Sequence, residues 1–331
     1  MHVLEIFPVS GGKGGSKLSF MQVVDLKVHY PIRGGFFNSI IDWVYAIDGI
    51  DMELEKGKTY GLVGESGCGK STTGKAIIGL EKITSGKIFF EGEDVTKERK
   101  SRTSHFHREV QMIFQDSHSS LNPRKQIRDI LAEPIRNFLN LTPHEERKKI
   151  DELLEIVGLP SESKEKYPHE FSGGQKQRIN IARALATNPK LIIADEPVSA
   201  LDLSVQAQVL NFMKDVQKKF GLTYLFISHD LGVVKHMCDY IYIMYKGRFV
   251  ECGTKKDIYE NPKHLYTKRL LASIPSLIPV GREKRKQARQ EFEKVYEQHI
   301  HKAFDENGRV FDLIPISNTH YVSAASAKEV V

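Results

Sequence analysis

One stretch restricts the fold of this chain more than any other: residues 59–72, TYGLVGESGCGKST. A short apolar run feeds directly into a glycine-rich turn, and an apolar helical pattern follows. The turn matches G-x-x-x-x-G-K-S/T through Gly64, Glu65, Ser66, Gly67, Cys68, Gly69, Lys70 and Ser71. The glycines let backbone N–H groups close around the β- and γ-phosphates of a nucleotide. Lys70 neutralises their charge, and Ser71 offers a hydroxyl to Mg²⁺. A second glycine–lysine stretch, SGGKGGSK at 10–17, is similar in composition but lacks this spacing. It reads as a flexible leader.

The rest of the chain agrees with an α/β architecture. Strands are expected over 22–29, 58–63, 86–91, 109–114, 191–195, 223–228 and 240–245, alternating with helical patterns. Between Gln115 and Phe171 the strand signal stops. There Thr142-Pro143-His144-Glu145 reads as a capping box with proline at the first helical position, opening a helix that ends near Gly158. Another helix is expected over 126–139, so a helical insertion interrupts the core. After about residue 276 the pattern decays into a charged helix, 282–303, and a weakly patterned tail.

Composition excludes several classes. With 27% charged and 40% hydrophobic residues over 331 positions, the chain suits a soluble globular protein with a sizeable core. No apolar run approaches the roughly 18 residues of a membrane helix. The N-terminal HVLEIFPVS, short and broken by Glu5 and Pro8, does not read as a signal peptide. Cys68, Cys238 and Cys252 are too scattered for a disulfide framework or a metal spacing. The net charge of +6 is matched by residues 263–302 alone, with ten Lys/Arg against four Asp/Glu. That excess reads as a solvated helix face, the alternative being a basic surface near anionic lipid or nucleic acid; no nucleic-acid partner is expected.

Polar groups recur at the carboxyl ends of strands, where open α/β sheets build their sites. LIIADEP ends an apolar strand in Asp195, suited to hold a Mg²⁺-bound water, with Glu196 next to it to polarise an attacking water. IFQD puts Gln115 where the helical insertion begins; its amide can touch Mg²⁺ or water. FISHD ends a strand in His229, able to hydrogen-bond a γ-phosphate, and Asp202 of SALD reads by itself as a turn or cap residue. FSGGQKQR is harder to explain. Ser172-Gly173-Gly174-Gln175 is a capping box, yet two glycines in a first turn each cost up to about 1 kcal/mol relative to alanine. Lys176 and Arg178 add positive charge to a helix end that is already positive. Such a start suits an anion better than it suits the helix.

In order and spacing, GESGCGKST, IFQD, FSGGQKQR, LIIADEP, SALD and ISHD resemble the nucleotide-binding subunit of an ATP-binding cassette (ABC) transporter, over residues 21–275. The resemblance implies a P-loop NTPase core of ABC type, an α/β fold with antiparallel β elements and an inserted α-helical subdomain at about 116–170. A leader at 1–20 and a C-terminal extension at 276–331 would flank it. ATP and Mg²⁺ are the implied ligands. Residues 64–71, with Thr72, would form the Walker A loop; Ser71, Gln115 and Asp195 would serve the metal. Glu196 would be the catalytic base or water-positioning group, Gln115 the Q-loop glutamine, His229 the switch histidine and Asp202 the D-loop acid. Adenine stacks on an aromatic after the first strand, a position Tyr30 matches, although the inserted PIRGGFFNSIIDW also brings Phe37 and Trp43 close.

FSGGQ resembles the family signature, with Phe171 for the commoner leucine. In that family two cassettes pack head to tail, so Ser172, Gly173, Gly174 and Gln175 would address ATP held by the other chain. QDSHSSLNPR (115–124), SVQAQVLNFM (204–213) and ENPKHLYTKRLLASIP (260–275) look like the oligopeptide/dipeptide importer ATPases. There two different ATPases usually pair beneath two membrane permease subunits fed by an extracytoplasmic peptide-binding protein. Lacking cysteine after Cys252, the chain resembles the member without an iron–sulfur cluster. The implied location is the cytoplasmic face of the membrane, as a peripheral subunit. The alternatives are an importer ATPase for another solute, such as nickel or an oligosaccharide, and a soluble ABC protein acting on ribosomes or DNA.

Overall fold

The computed structural model describes residues 19–34, 38–97, 105–116, 120–274 and 282–323. The chain opens with an antiparallel ribbon, β1 (Met21–Gly34) against β2 (Ser39–Leu54). It then enters the interior as β3 (Thr59–Val63), turns into α1 (Lys70–Ile77), and returns to the free edge of β1 as β4 (Ser85–Phe90) with the short β5 (Glu93–Asp94). Helix α2 (His105–Glu109) leads into β6 (Val110–Ile113). Next come α3 (Ile127–Phe138), α4 (Pro143–Ile156) and two 3-10 turns, before α5 (Gly173–Leu185) returns the chain to β7 (Leu191–Asp195). The remaining core is α6 (Leu203–Phe220), β8 (Thr223–Ser228), α7 (Leu231–Met237), β9 (Tyr240–Tyr245) and β10 (Arg248–Thr254). Helices α8 (Lys255–Glu260), α9 (Leu265–Ala272) and α10 (Arg282–His299) follow, then β11 (Leu313–Pro315) and β12 (Tyr321–Ser323).

Among the described residues, the strands form a four-stranded sheet and an eight-stranded sheet ordered β11-β12-β10-β9-β3-β8-β7-β6. From β9 to β6 the larger sheet is parallel. Its strands β3, β7 and β8 are buried at every position, as a sheet covered on both faces requires. Period-two alternation divides their side chains between two cores. Ile192, Ala194, Tyr224 and Phe226 face the cluster containing α3 to α7; Leu191, Ile193, Leu225 and Ile227 face the cluster containing α1 and the small sheet. Register then fixes the site. Val63 pairs with Ser228, Asp195 with Ile227, and Ile113 with Ala194, so β3, β6, β7 and β8 end side by side. Gly64, Gln115, Glu196 and His229 follow those ends along one edge.

Strands expected at 191–195, 223–228 and 240–245 have those limits, and the capping box at Thr142 makes both reciprocal bonds. Two expectations need correction. The strand expected at 22–29 runs on to Gly34, so that residues 31–34 and 39–42 form the outer end of the β1–β2 ribbon, which has few buried positions past Tyr30 and so lacks a strand's apolar alternation. The weakly patterned tail contributes β11 and β12 to the main sheet. Each has three residues, too few for a period, and β12 is held by burial of Tyr321 and Val322.

Candidate nucleotide site

Beyond β3 the phosphate turn is held by its own lysine. Lys70 Nζ, buried, donates to the carbonyl oxygens of Gly64 and Glu65, both at 2.8 Å. A Cβ on Gly64 would lie 2.2 Å from the Met244 carbonyl oxygen, and one on Gly69 2.3 Å from that of Ala46. Gly67 has open space around it but adopts φ +81°, in the left-handed region. Gly69 begins α1 without a side-chain cap, leaving first-turn N–H groups for an anion. Glu65, Ser66 and Gly67 form the exposed crest, Cys68 is buried beneath it, and Ser71 and Thr72 are half-buried on α1. Burial raises the Cys68 thiol above its ordinary range, against the lowering effect of Lys70.

Opposite the turn, Ser71 Oγ donates to Asp195 Oδ1 at 2.8 Å. Asp195 is 2% exposed. Burial raises its carboxyl above the ordinary range; the Ser71 hydrogen bond opposes the shift and the Glu196 charge adds to it. A hydroxyl beside a carboxylate suits a hard cation. Among the described residues no cluster of three or more His, Cys, Asp or Glu could hold a metal. Mg²⁺ needs none when phosphate and water complete its shell.

Glu196 stands just past β7 at φ +44°, uncommon for a non-glycine residue and a local strain of the kind found at functional sites. Its N–H donates to the Ile227 carbonyl at 2.9 Å. Gln115 Nε2 donates to its Oε2 at 2.9 Å, and His229 Nδ1 lies 2.9 Å from its Oε1. Three residues far apart in sequence thus meet at one carboxylate. Asp230 accepts from the N–H of Gly232 at 2.7 Å and caps α7, which turns the chain away directly after His229.

Helix α5 starts elsewhere. The Gln175 N–H donates to Ser172 Oγ at 3.4 Å, and the Ser172 N–H to Gln175 Oε1 at 3.0 Å, so the capping box is made. Its glycines have a packing reason that the sequence did not reveal. A Cβ on Gly174 would lie 2.5 Å from Val205 Cγ1, and one on Gly173 3.2 Å from Leu201 Cδ2. The interleaved apolar residues of SALDLSVQ were the available signal. Arg178, out of place by the dipole rule, lies 5.5 Å over the Phe212 ring and donates to the Val157 carbonyl. Among the described residues no hydrogen bond joins positions 172–175 to the phosphate turn. Asp202 stands at the N-cap of α6, exposed and without a capping bond. Tyr30, on β1, donates its hydroxyl to Glu81 at 2.9 Å; Trp43 stands exposed on β2, and Phe37 lies outside the described residues.

A phosphate turn between a buried parallel strand and a helix, with carboxylates and a histidine on neighbouring strand ends, defines an ATPase of the ATP-binding cassette class. The ABC transporter family model matches residues 47–199, and that of the oligopeptide/dipeptide transporter C-terminal region matches residues 250–306. The chain is 55% identical over 309 residues to the oligopeptide transport ATP-binding protein OppF of Lactococcus lactis, covering 93% of this chain and 97% of that protein. It is 48% identical over 265 residues to the dipeptide transport ATP-binding protein DppF of Escherichia coli, covering 80% and 79% respectively. A dimeric ATP-binding cassette, MJ0796, solved in a post-hydrolysis state bound to ADP and Pi, superposes with a TM-score of 0.62 at 25% identity, over 71% of this chain and 98% of that one. The chain belongs to the oligopeptide/dipeptide family of ABC transporter ATP-binding proteins.

Proposed function

We propose that this chain pairs with a second, related ATPase, binds ATP between the two, and uses its hydrolysis to drive import of short peptides. The observation that carries the catalytic reading is the Glu196 carboxylate held between Gln115 and His229, beside the Ser71–Asp195 pair. The phosphate turn and the start of α1 receive the β- and γ-phosphates, and Lys70 exchanges its carbonyl partners for phosphate oxygens. Ser71, Gln115 and a water on Asp195 would hold Mg²⁺, which neutralises phosphate charge. Glu196 orients the attacking water and takes its proton, while His229 turns from Glu196 toward the γ-phosphate. Catalysis of this kind is mainly positional and electrostatic. Residues 172–175 complete the partner's ATP site, Asp202 lies at the same interface, and Tyr30 stacks on adenine.

The proposed nucleotide-binding domain is 21–275, with 1–20 as leader and 276–331 as extension. Its helical subdomain, about 116–170, receives the cytoplasmic helices of two membrane subunits. A groove of about 550 Å³ lined by Phe114, Glu133, Phe138 and Arg183 opens beside the Gln115 strand end and supports this docking. Among the described residues no helix is long and apolar enough to cross a membrane. Attachment to the cytoplasmic face would therefore come through those subunits, with an extracytoplasmic protein supplying peptide. The oligopeptide and dipeptide transport functions of the relatives favour peptides over nickel or oligosaccharides. Purification from solubilised membranes tests this: two permease subunits and a second ATPase should accompany the chain, and short peptides with their binding protein should stimulate ATP hydrolysis. Stimulation by another solute alone, or recovery on ribosomes, would overturn the proposal.

A further inference from the structure

Two residues of α9 reach the phosphate turn. Tyr266, fully buried, accepts the N–H of Glu65 on its hydroxyl at 2.8 Å, and its ring packs 4.5 Å from that of Tyr245. One helical turn on, Arg269 Nη1 donates to Glu65 Oε1 at 2.8 Å. The same guanidinium holds Glu293 of α10 through Nε, at 2.9 and 3.0 Å, and lies 4.5 Å over the Tyr296 ring. The segment itself is anchored from below. Glu251 on β10, fully buried, accepts the N–H groups of Lys263 and His264 at 2.7 and 3.0 Å and pairs with His320 at 2.7 Å. Both the backbone and the carboxylate of Glu65 are thus held from the C-terminal segment.

Glu65 is the sole acid in residues 64–71. A free carboxylate on a turn built for a polyphosphate would repel the ligand, and an adjacent guanidinium, shared with Glu293, offsets part of that charge. We infer that Arg269 is a positioning residue for nucleotide: it holds the Glu65 carboxylate against α9 and offsets its charge, so that the C-terminal segment tunes the affinity of the phosphate turn. The inference rests on the reading of residues 64–71 as the triphosphate site. Such a half-exposed ion pair adds little to folding stability. Its effect falls on a charged ligand within a few ångströms, where one uncompensated charge changes affinity on the order of three- to tenfold.

The test is Mg-ATP and Mg-ADP affinity of the full chain by calorimetry for wild type, Arg269→Gln, Glu65→Gln and the double variant. Arg269→Gln should weaken ATP binding by about three- to tenfold, and ADP binding less, with kcat at saturating ATP within about twofold of wild type. In the Glu65→Gln background the Arg269 substitution should cost clearly less, because one of the two carboxylates it compensates is gone. Arg269→Lys should recover most of the affinity. If Arg269→Gln fails to fold, Arg269→Met, which keeps an apolar stem against Tyr296, supports the same comparison. Unchanged ATP affinity in Arg269→Gln, or an equal loss with and without Glu65, overturns the inference. Failure of the wild type to bind ATP would instead overturn the nucleotide-site reading.

Discussion

Gly174→Ala separates two explanations of the glycine pair at the start of α5: close approach of an anion from a partner chain, and close approach of α6 within this one. The added Cβ would sit 2.5 Å from Val205 Cγ1, at least about 1 Å inside ordinary carbon–carbon contact. Val205 is β-branched and helical, so one χ1 rotamer dominates and it cannot easily swing aside. Overpacking of this sort costs about 1–3 kcal/mol, offset by the roughly 0.5–1 kcal/mol that alanine gains over glycine in a helix. The expected net loss is up to about 2.5 kcal/mol, read as a lower urea midpoint of the nucleotide-free chain with an unchanged slope. In a Val205→Ala background the clash disappears, and the same substitution should be neutral or stabilising by up to about 1 kcal/mol. The same change in stability in both backgrounds would refute the packing explanation.

Two further outcomes are expected. Ser172→Arg should leave ATP binding by the isolated chain intact while abolishing ATP-dependent association with the partner ATPase in sedimentation; an unimpaired dimer would contradict the interface role of residues 172–175. His264, buried at the start of α9, accepts the Tyr266 N–H on Nδ1 at 3.1 Å, and burial pushes its pKa down to about 4. The unfolded chain binds that proton near its ordinary value of about 6.5, so stability falls as pH drops from about 6.5 to 4, by on the order of 3 kcal/mol. His264→Asn keeps an acceptor that does not titrate, and its melting temperature should fall less across this window; parallel curves for variant and wild type would contradict the assignment.

Much of this was legible because the parallel strands are short, apolar and punctuated by chemistry. LIIAD and TYLFIS carry their own limits, and each ends beside a residue that bears on the site, Glu196 or His229. Spacing revealed which residues matter but not how they meet, because the meeting depends on register between strands distant in sequence. Gln115 and His229 converge on Glu196 because Ile113 pairs with Ala194 and Asp195 with Ile227. The outer ribbon and the tail were illegible for the opposite reason. The exposed ribbon does not alternate, and three-residue strands carry no period. The capping box at Ser172 was read correctly as local structure, but which residues stand behind Gly174 and Glu65, Val205 and Arg269, is a matter of tertiary contact that no local pattern specifies.

Glu196 is where the hydrolytic reading stands or falls. Glu196→Gln keeps the size of the side chain and its capacity to accept from Gln115, and removes the charge that takes a proton. In the assembled transporter, ATP should bind with near wild-type affinity and accumulate unhydrolysed, with turnover reduced on the order of 10²-fold or more. Hydrolysis at the wild-type rate by Glu196→Gln would contradict the reading.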